Sequence, residues 1–242
     1  MTATPRLKAH RIVAHRGGAA EAPENTLSAI RRALNLGVLA VEIDVHLTAD
    51  GAMVVYHDDH LPKATEGEPT RALADAELGE ILALDVGRPG CIEHPPLLED
   101  VLGLPFGAPT LLMIELKAGR DAYRTAEAAA RRIWRSNLER RIRWGSLDPA
   151  VNEALFATAP GIPLVAIVAD DRSFVEFART PPSIWAVAPR HAADARTNAL
   201  LKRNGRKLWV WTVNDCREAD DLIRRGVDAV ISDRPAAFMG RV

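Results

Sequence analysis

Eight short apolar runs, rich in Val, Ile and Leu, recur along the chain with helix-patterned segments between them. The runs occupy 11–15, 39–45, 111–116, 141–145, 163–168, 184–188, 207–212 and 227–231. The intervening segments carry apolar residues at helical spacing. They lie near 27–36, 98–102, 122–134, 149–158, 173–178, 193–204 and 217–225. Strand and helix alternating in this way over 242 residues predict an α/β fold, a parallel sheet closed as a (β/α)8 TIM barrel. Gly205 and Gly226 stand where helices should stop, and Asn25 or Thr26 where the first should begin. Gly37 marks its end.

Two features interrupt the alternation. Thr48-Ala49-Asp50-Gly51 is a turn, and 53–56 should fold back on the second strand as a hairpin outside the eight. Residues 59–96, rich in Pro and Gly, form an insertion after the second strand, with a short helical stretch near 75–82. A long excursion in a compact barrel is expected to lie near a site. No linker or low-complexity segment divides the chain, so 1–242 reads as one domain.

Composition excludes several classes. A formal net charge of −1 gives no electrostatic case for a nucleic-acid or membrane-surface protein. Cys91 and Cys216 have no metal-ribbon spacing, and two cysteines do not make a disulfide scaffold. Residues 1–10 lack the apolar core of a signal peptide, and no run is long enough to span a membrane. The expectation is a cytoplasmic protein.

Chemistry-bearing residues collect at the carboxyl ends of the predicted strands, where barrels of this kind build their sites. His15 ends the first run, Glu42 and Asp44 lie late in the second, and Glu115 and Lys117 end the third. Ser146, Trp211, Thr212, Asn214, Ser232 and Asp233 follow the same rule. In Val41-Glu42-Ile43-Asp44-Val45 the alternation of a strand puts both carboxylates on one face. Glu42, Asp44 and Glu115 together would repel one another unless a cation intervened, and oxygen ligands favour Mg²⁺ or Ca²⁺. His15 and His57 are candidates for acid–base work. The other five histidines, His10, His46, His60, His94 and His191, read as structural, although His46 continues the Glu42–Asp44 face. Arg16 suits a phosphate oxygen. Lys117 shares a face with Glu115 and would reach either it or an anionic substrate. Of Trp209 and Trp211, the latter stands nearer the strand end and would wall a pocket.

His15-Arg16-Gly17, Pro23-Glu24-Asn25-Thr26, Glu42-Ile43-Asp44-Val45, Asp50-Gly51, His57-Asp58, Ile114-Glu115-Leu116-Lys117, Trp211-Thr212-Val213-Asn214 and Ser232-Asp233-Arg234-Pro235 occur in this order. The series resembles the glycerophosphodiester phosphodiesterase family, in its short bacterial cytoplasmic form, from end to end. The resemblance implies a metal-dependent TIM-barrel hydrolase that converts small glycerophosphodiesters to sn-glycerol 3-phosphate and an alcohol, through a cyclic phosphodiester. It implies His15 and His57 as general acid and base, with Glu42, Asp44 and Glu115 as ligands of one divalent cation. It implies Arg16 and Lys117 as phosphate contacts and Trp211 as part of the glycerol pocket. Where the family commonly continues Leu-Asp-Arg-Thr-Thr after His-Asp, this chain has Leu61-Pro62-Lys63-Ala64-Thr65, a difference that bears on substrate preference. The rival readings are a lysophospholipase-D-type hydrolase, a metal-assisted enolate or aldol barrel, and a non-catalytic phosphoester-binding barrel.

Overall fold

The computed structural model describes residues 9–63, 70–170, 182–192 and 194–239. Its nine described strands are β1 Ile12–Ala14, β2 Ala40–Leu47, β3 Met53–Val55, β4 Leu111–Leu116, β5 Ile142–Ser146, β6 Leu164–Val168, β7 Ile184–Val187, β8 Lys207–Val210 and β9 Ala229–Ser232. Eight are parallel. β1 pairs with both β2 and β9, which closes the barrel. β3 pairs antiparallel with the far end of β2, so the hairpin stands outside the ring as expected. That pairing carries β2 on to Leu47, and Glu42 and Asp44 therefore lie nearer the strand's middle than its end.

The helices are α1 Leu27–Leu36, α2 Leu78–Leu82, α3 Leu98–Leu102, α4 Ala122–Ser136, α5 Pro149–Thr158, α6 Ala195–Leu201, α7 Cys216–Arg224 and α8 Pro235–Met239. Their starts have local causes. Thr26 caps α1, and Asp121, Asp148, Asp194 and Asp215 cap α4 to α7. Each side chain accepts backbone N–H groups the helix cannot satisfy, with a negative charge favoured at that end in the aspartate cases. Gly37 ends α1 in the left-handed conformation. The segment expected at 75–82 splits into a 3₁₀ turn, Leu73–Asp75, and α2. α6 stops at Leu201 and is followed by a 3₁₀ turn, Arg203–Gly205. The helix expected near 173–178 lies outside the described residues, as do positions 64–69 of the insertion. No helix among the described residues is long and apolar enough to cross a membrane.

Side chains of opposite parity fill two cores. Val41, Ile43 and Val45 face the helices, while Ala40, Met113, Val165, Ile184, Trp209 and Ile231 fill the barrel interior. The interior layer above them belongs to Asp44 and Glu115, which are register partners on β2 and β4, with Gly145 next to Glu115 on β5. A side chain at Gly145 would meet the backbone oxygen of Val165, so this place in the layer is filled by backbone alone.

Candidate active site

The barrel mouth gathers the predicted residues into one place. Ligand oxygens of Glu42, Asp44 and Glu115 lie within 4.8 Å of one another. Glu42 and Asp44 are each 2% exposed. One Glu42 oxygen, Oε2, accepts the backbone N–H of Arg16 at 2.7 Å, whereas Oε1 is buried with no hydrogen-bond partner. Burial, then repulsion by Asp44, pushes the Glu42 carboxyl up to about 8. Burial also raises Glu115. A bare buried oxygen in a three-carboxylate cluster is a site short of positive charge, and its donor set fits a hard divalent cation.

Asp44 is the well-supplied member. Asn25 Nδ2 donates to its Oδ2 at 2.9 Å, while the backbone N–H of Asp44 donates to Asn25 Oδ1 at 3.1 Å. Lys117 Nζ lies 2.7 Å from both Asp44 Oδ1 and Glu115 Oε1. Burial raises the Asp44 carboxyl, but Lys117, Asn25 and Arg16 outweigh it and hold the group below the ordinary range. Lys117, just past β4, thus pairs with Glu115 as one of its two expected roles and also reaches across to Asp44. Arg16 donates to Glu24 at 2.9 Å, and its Nε stands 3.4 Å from Asp44.

The His-Arg-Gly-Gly turn has a steric reason. His15–Gly17 is a 3₁₀ turn rather than the end of β1. Gly17 has φ +81°, and a Cβ there would come within 2.8 Å of Ala29 Cβ on α1. The close approach sets the turn against α1 and aims the Arg16 amide at Glu42.

Each candidate acid–base histidine has a carboxylate on Nδ1. His15 Nδ1 is 2.6 Å from Asp233 Oδ1, and His57 Nδ1 is 2.8 Å from Asp58 Oδ1. Nε2 is therefore the ring nitrogen each has left for chemistry. Burial lowers His15, but the bond to Asp233 and the charge of Glu42 outweigh it and raise its pKa. His46 is 3% exposed, and burial pushes it down to about 4. Its neutral ring donates from Nε2 to the His57 carbonyl oxygen at 3.4 Å, so it braces the backbone that carries His57.

A small inner cavity of about 60 Å³ is lined by His15, Arg16, Glu42, Asp44, His57 and Glu115, with Trp211 on its wall. Trp211 Nε1 donates to the Ala186 carbonyl oxygen, which fixes the ring, while Trp209 packs in the barrel interior. An outer cavity of about 680 Å³ opens beyond Glu115, Lys117 and His57. Its rim carries charged and polar groups, from Asp58, Asp59, His60, Lys63 and Asp148, interleaved with apolar Leu61, Pro62, Ala118 and Leu147. The insertion therefore reaches the site through 59–63 and Thr70. Ser146 is committed elsewhere, donating to the Leu116 carbonyl oxygen at 2.6 Å.

The structure adds three residues that were given no site role from sequence. By sequence Asn25 reads only as a cap; its φ of +57° turns it from the helix toward Asp44. Asp233 and Asn214 were noted only as polar strand-end residues, yet they stand behind His15. Their signal was their position after strands.

Comparisons with known proteins show what the whole chain is similar to. The model of the Glycerophosphoryl diester phosphodiesterase family matches residues 15–237. The glycerophosphodiester phosphodiesterase of Caldanaerobacter subterraneus subsp. tengcongensis is 30% identical over 246 residues, spanning 96% of this chain and 97% of its own. An Oleispira antarctica phosphodiesterase, solved in complex with the product sn-glycerol-3-phosphate, is similar at TM-score 0.81 and 26% identity, covering 94% of each chain. A solved structure from Silicibacter pomeroyi is similar at TM-score 0.84 and 25% identity, covering 97% of this chain and 92% of that one.

Proposed function

The chain belongs to the glycerophosphoryl diester phosphodiesterase family, and from that premise we propose that it hydrolyses small, water-soluble glycerophosphodiesters to sn-glycerol 3-phosphate and an alcohol by histidine acid–base catalysis. The observation that carries the reading is the inner cavity, where two Nδ1-anchored histidines flank a buried three-carboxylate cluster. The Oleispira antarctica relative's product complex supports glycerol 3-phosphate as the common product.

Glu42, Asp44 and Glu115 would hold one divalent cation, Mg²⁺ or Ca²⁺. Bound there, it would stabilise charge developing on the phosphoryl oxygens. Arg16 and Lys117 line the same cavity and add positive charge beside the phosphate. One histidine takes the proton of the substrate's own glycerol hydroxyl as that oxygen bonds to phosphorus. The bond from phosphorus to the leaving alcohol breaks, and the other histidine gives that alcohol its proton. Water then opens the cyclic phosphodiester with the two histidines in exchanged roles. Trp211 closes the glycerol side with an apolar face. The charged groups Asp58, Asp59, Lys63 and Asp148 around the outer cavity suit a hydrophilic alcohol such as choline or ethanolamine.

The test is release of glycerol 3-phosphate from glycerophosphocholine, with EDTA and with Mg²⁺ or Ca²⁺ restored. Metal-dependent release is expected. No release with any metal, from this or bulkier diesters, would leave a phosphoester-binding barrel as the better reading.

A further inference from the structure

Behind His15 lies a hydrogen-bond chain drawn from three strands. His15 follows β1, Asn214 follows β8 and Asp233 follows β9. Asp233 Oδ1 is 2.6 Å from His15 Nδ1. Asp233 Oδ2 accepts from Asn214 Nδ2 at 2.7 Å. Asn214 Oδ1 accepts twice, from Ser232 Oγ and from the backbone N–H of Asp233, each at 2.9 Å. Those two donors pin the Asn214 amide. Turned over, its NH₂ would face the Asp233 backbone N–H, donor against donor. With Asn214 pinned, an NH₂ always points at Oδ2 of Asp233. The carboxylate has no proton to offer, so the proton between it and His15 sits on Nδ1.

We infer that Asp233, oriented by Asn214, is the positioning residue of His15, holding its neutral ring as the Nδ1–H tautomer with the Nε2 lone pair turned to the substrate. His57 lacks such a chain. Its partner Asp58 is the next residue along, with a side chain 66% exposed against 24% for Asp233, and no further side chain among the described residues is bonded to it. The two rings are therefore held differently: that of His15 by a chain from three strands, that of His57 by its sequence neighbour. The inference rests on the reading of His15 as an acid–base group.

The chain makes an unusual prediction for the isosteric variant Asp233→Asn. Asn214 donates to whatever faces it, so the new amide must turn its oxygen to Asn214 and its NH₂ to His15. His15 Nδ1 must then accept, and the ring takes the Nε2–H form. Exchanging the pair, Asp233→Asn with Asn214→Asp, restores the pattern at unchanged net charge. The carboxylate moved to position 214 accepts from the amide moved to position 233, whose oxygen again faces His15 Nδ1.

The experiment has two readouts. Long-range ¹H–¹⁵N spectra of labelled enzyme, taken where the ring is neutral and assigned with His15→Gln, should show Nδ1–H in wild type and in the exchanged pair, and Nε2–H in Asp233→Asn. In glycerophosphocholine hydrolysis, Asp233→Asn should lose about 10²–10⁴-fold in kcat with KM within about twofold, because the wrong tautomer removes proton transfer rather than binding. The exchanged pair should recover about tenfold or more of that loss, as coupled residues do. An Nε2–H ring in the wild type would overturn the inference whatever the variants do. So would full activity in Asp233→Asn, or an exchanged pair that melts like wild type yet is no faster than the single variant. Failure of the acid–base reading is separable, because it would show as near-normal turnover in His15→Ala.

Discussion

The backbone amide of Arg16 lies 2.7 Å from Oε2 of Glu42. The turn that carries His15 is thus bonded directly to one of the three clustered carboxylates. The histidine side of the site and the carboxylate side are thereby tied together along that edge. The same bond satisfies one oxygen of Glu42 and leaves the other bare, so the barrel folds with a carboxylate that is half-solvated by protein.

Glu42→Gln keeps an oxygen to accept from Arg16 and should fold normally. It removes one charge from the cluster, and titration calorimetry with Mg²⁺ or Ca²⁺ should show affinity weakened about tenfold or more. Unchanged affinity would remove Glu42 from the ligand set.

The metal-free protein should lose stability as pH rises above 6.5. Glu42 holds its proton up to about 8 in the native state but only to its ordinary 4.5 when unfolded. Between those values the native state binds more protons, so stability falls with rising pH. His46 acts in the opposite sense, since its folded value of about 4 lies below 6.5, but its contribution is already fading at pH 6.5, and His15, whose pKa is raised by Asp233 and Glu42, acts in the same sense as Glu42. Melting in EDTA from pH 6.5 to 8 should therefore slope downward, and Glu42→Gln should flatten the slope. An equal slope in both proteins would show that another group sets it.

His15→Ala and His57→Ala should each reduce kcat by about 10²–10⁴-fold with the melting curve little changed. Glycerol 3-phosphate release and circular dichroism together decide this. A variant that retains most of its turnover returns that histidine to a structural role.

Asn25→Ala should destabilise the fold by about 2–4 kcal/mol, combining a buried carboxylate deprived of its donor with alanine in the left-handed region. Asn25→Gly removes the same bonds without the backbone strain and should cost less. Urea unfolding of the two variants separates the contributions, and equal losses would argue against strain.

Much of this was legible in the sequence because barrel strands are buried on both faces. Polar residues on such strands stand out against Val and Ile, as Glu42, Asp44 and Glu115 do, and their parity gave the shared face. The strand ends gave His15, Lys117 and Trp211 for the same reason. Periodicity alone missed contacts made by loops. Asn25 looked like a cap because caps and carboxylate donors use the same side chain. Asp233 and Asn214 meet across 19 residues and reach His15 from the other end of the chain, a closure that local pattern does not encode. The length of β2 also escaped local reading, because its last residues are held by β3 rather than by their own propensity.

β3 stands outside the closed ring, and His57 follows it. One histidine thus directly follows a strand of the ring while the other arrives on an appended hairpin, together with Asp58, Asp59, His60 and Lys63 of the outer cavity's rim. Changes confined to the hairpin and the insertion can therefore reshape the outer cavity while leaving the supports of His15 in place.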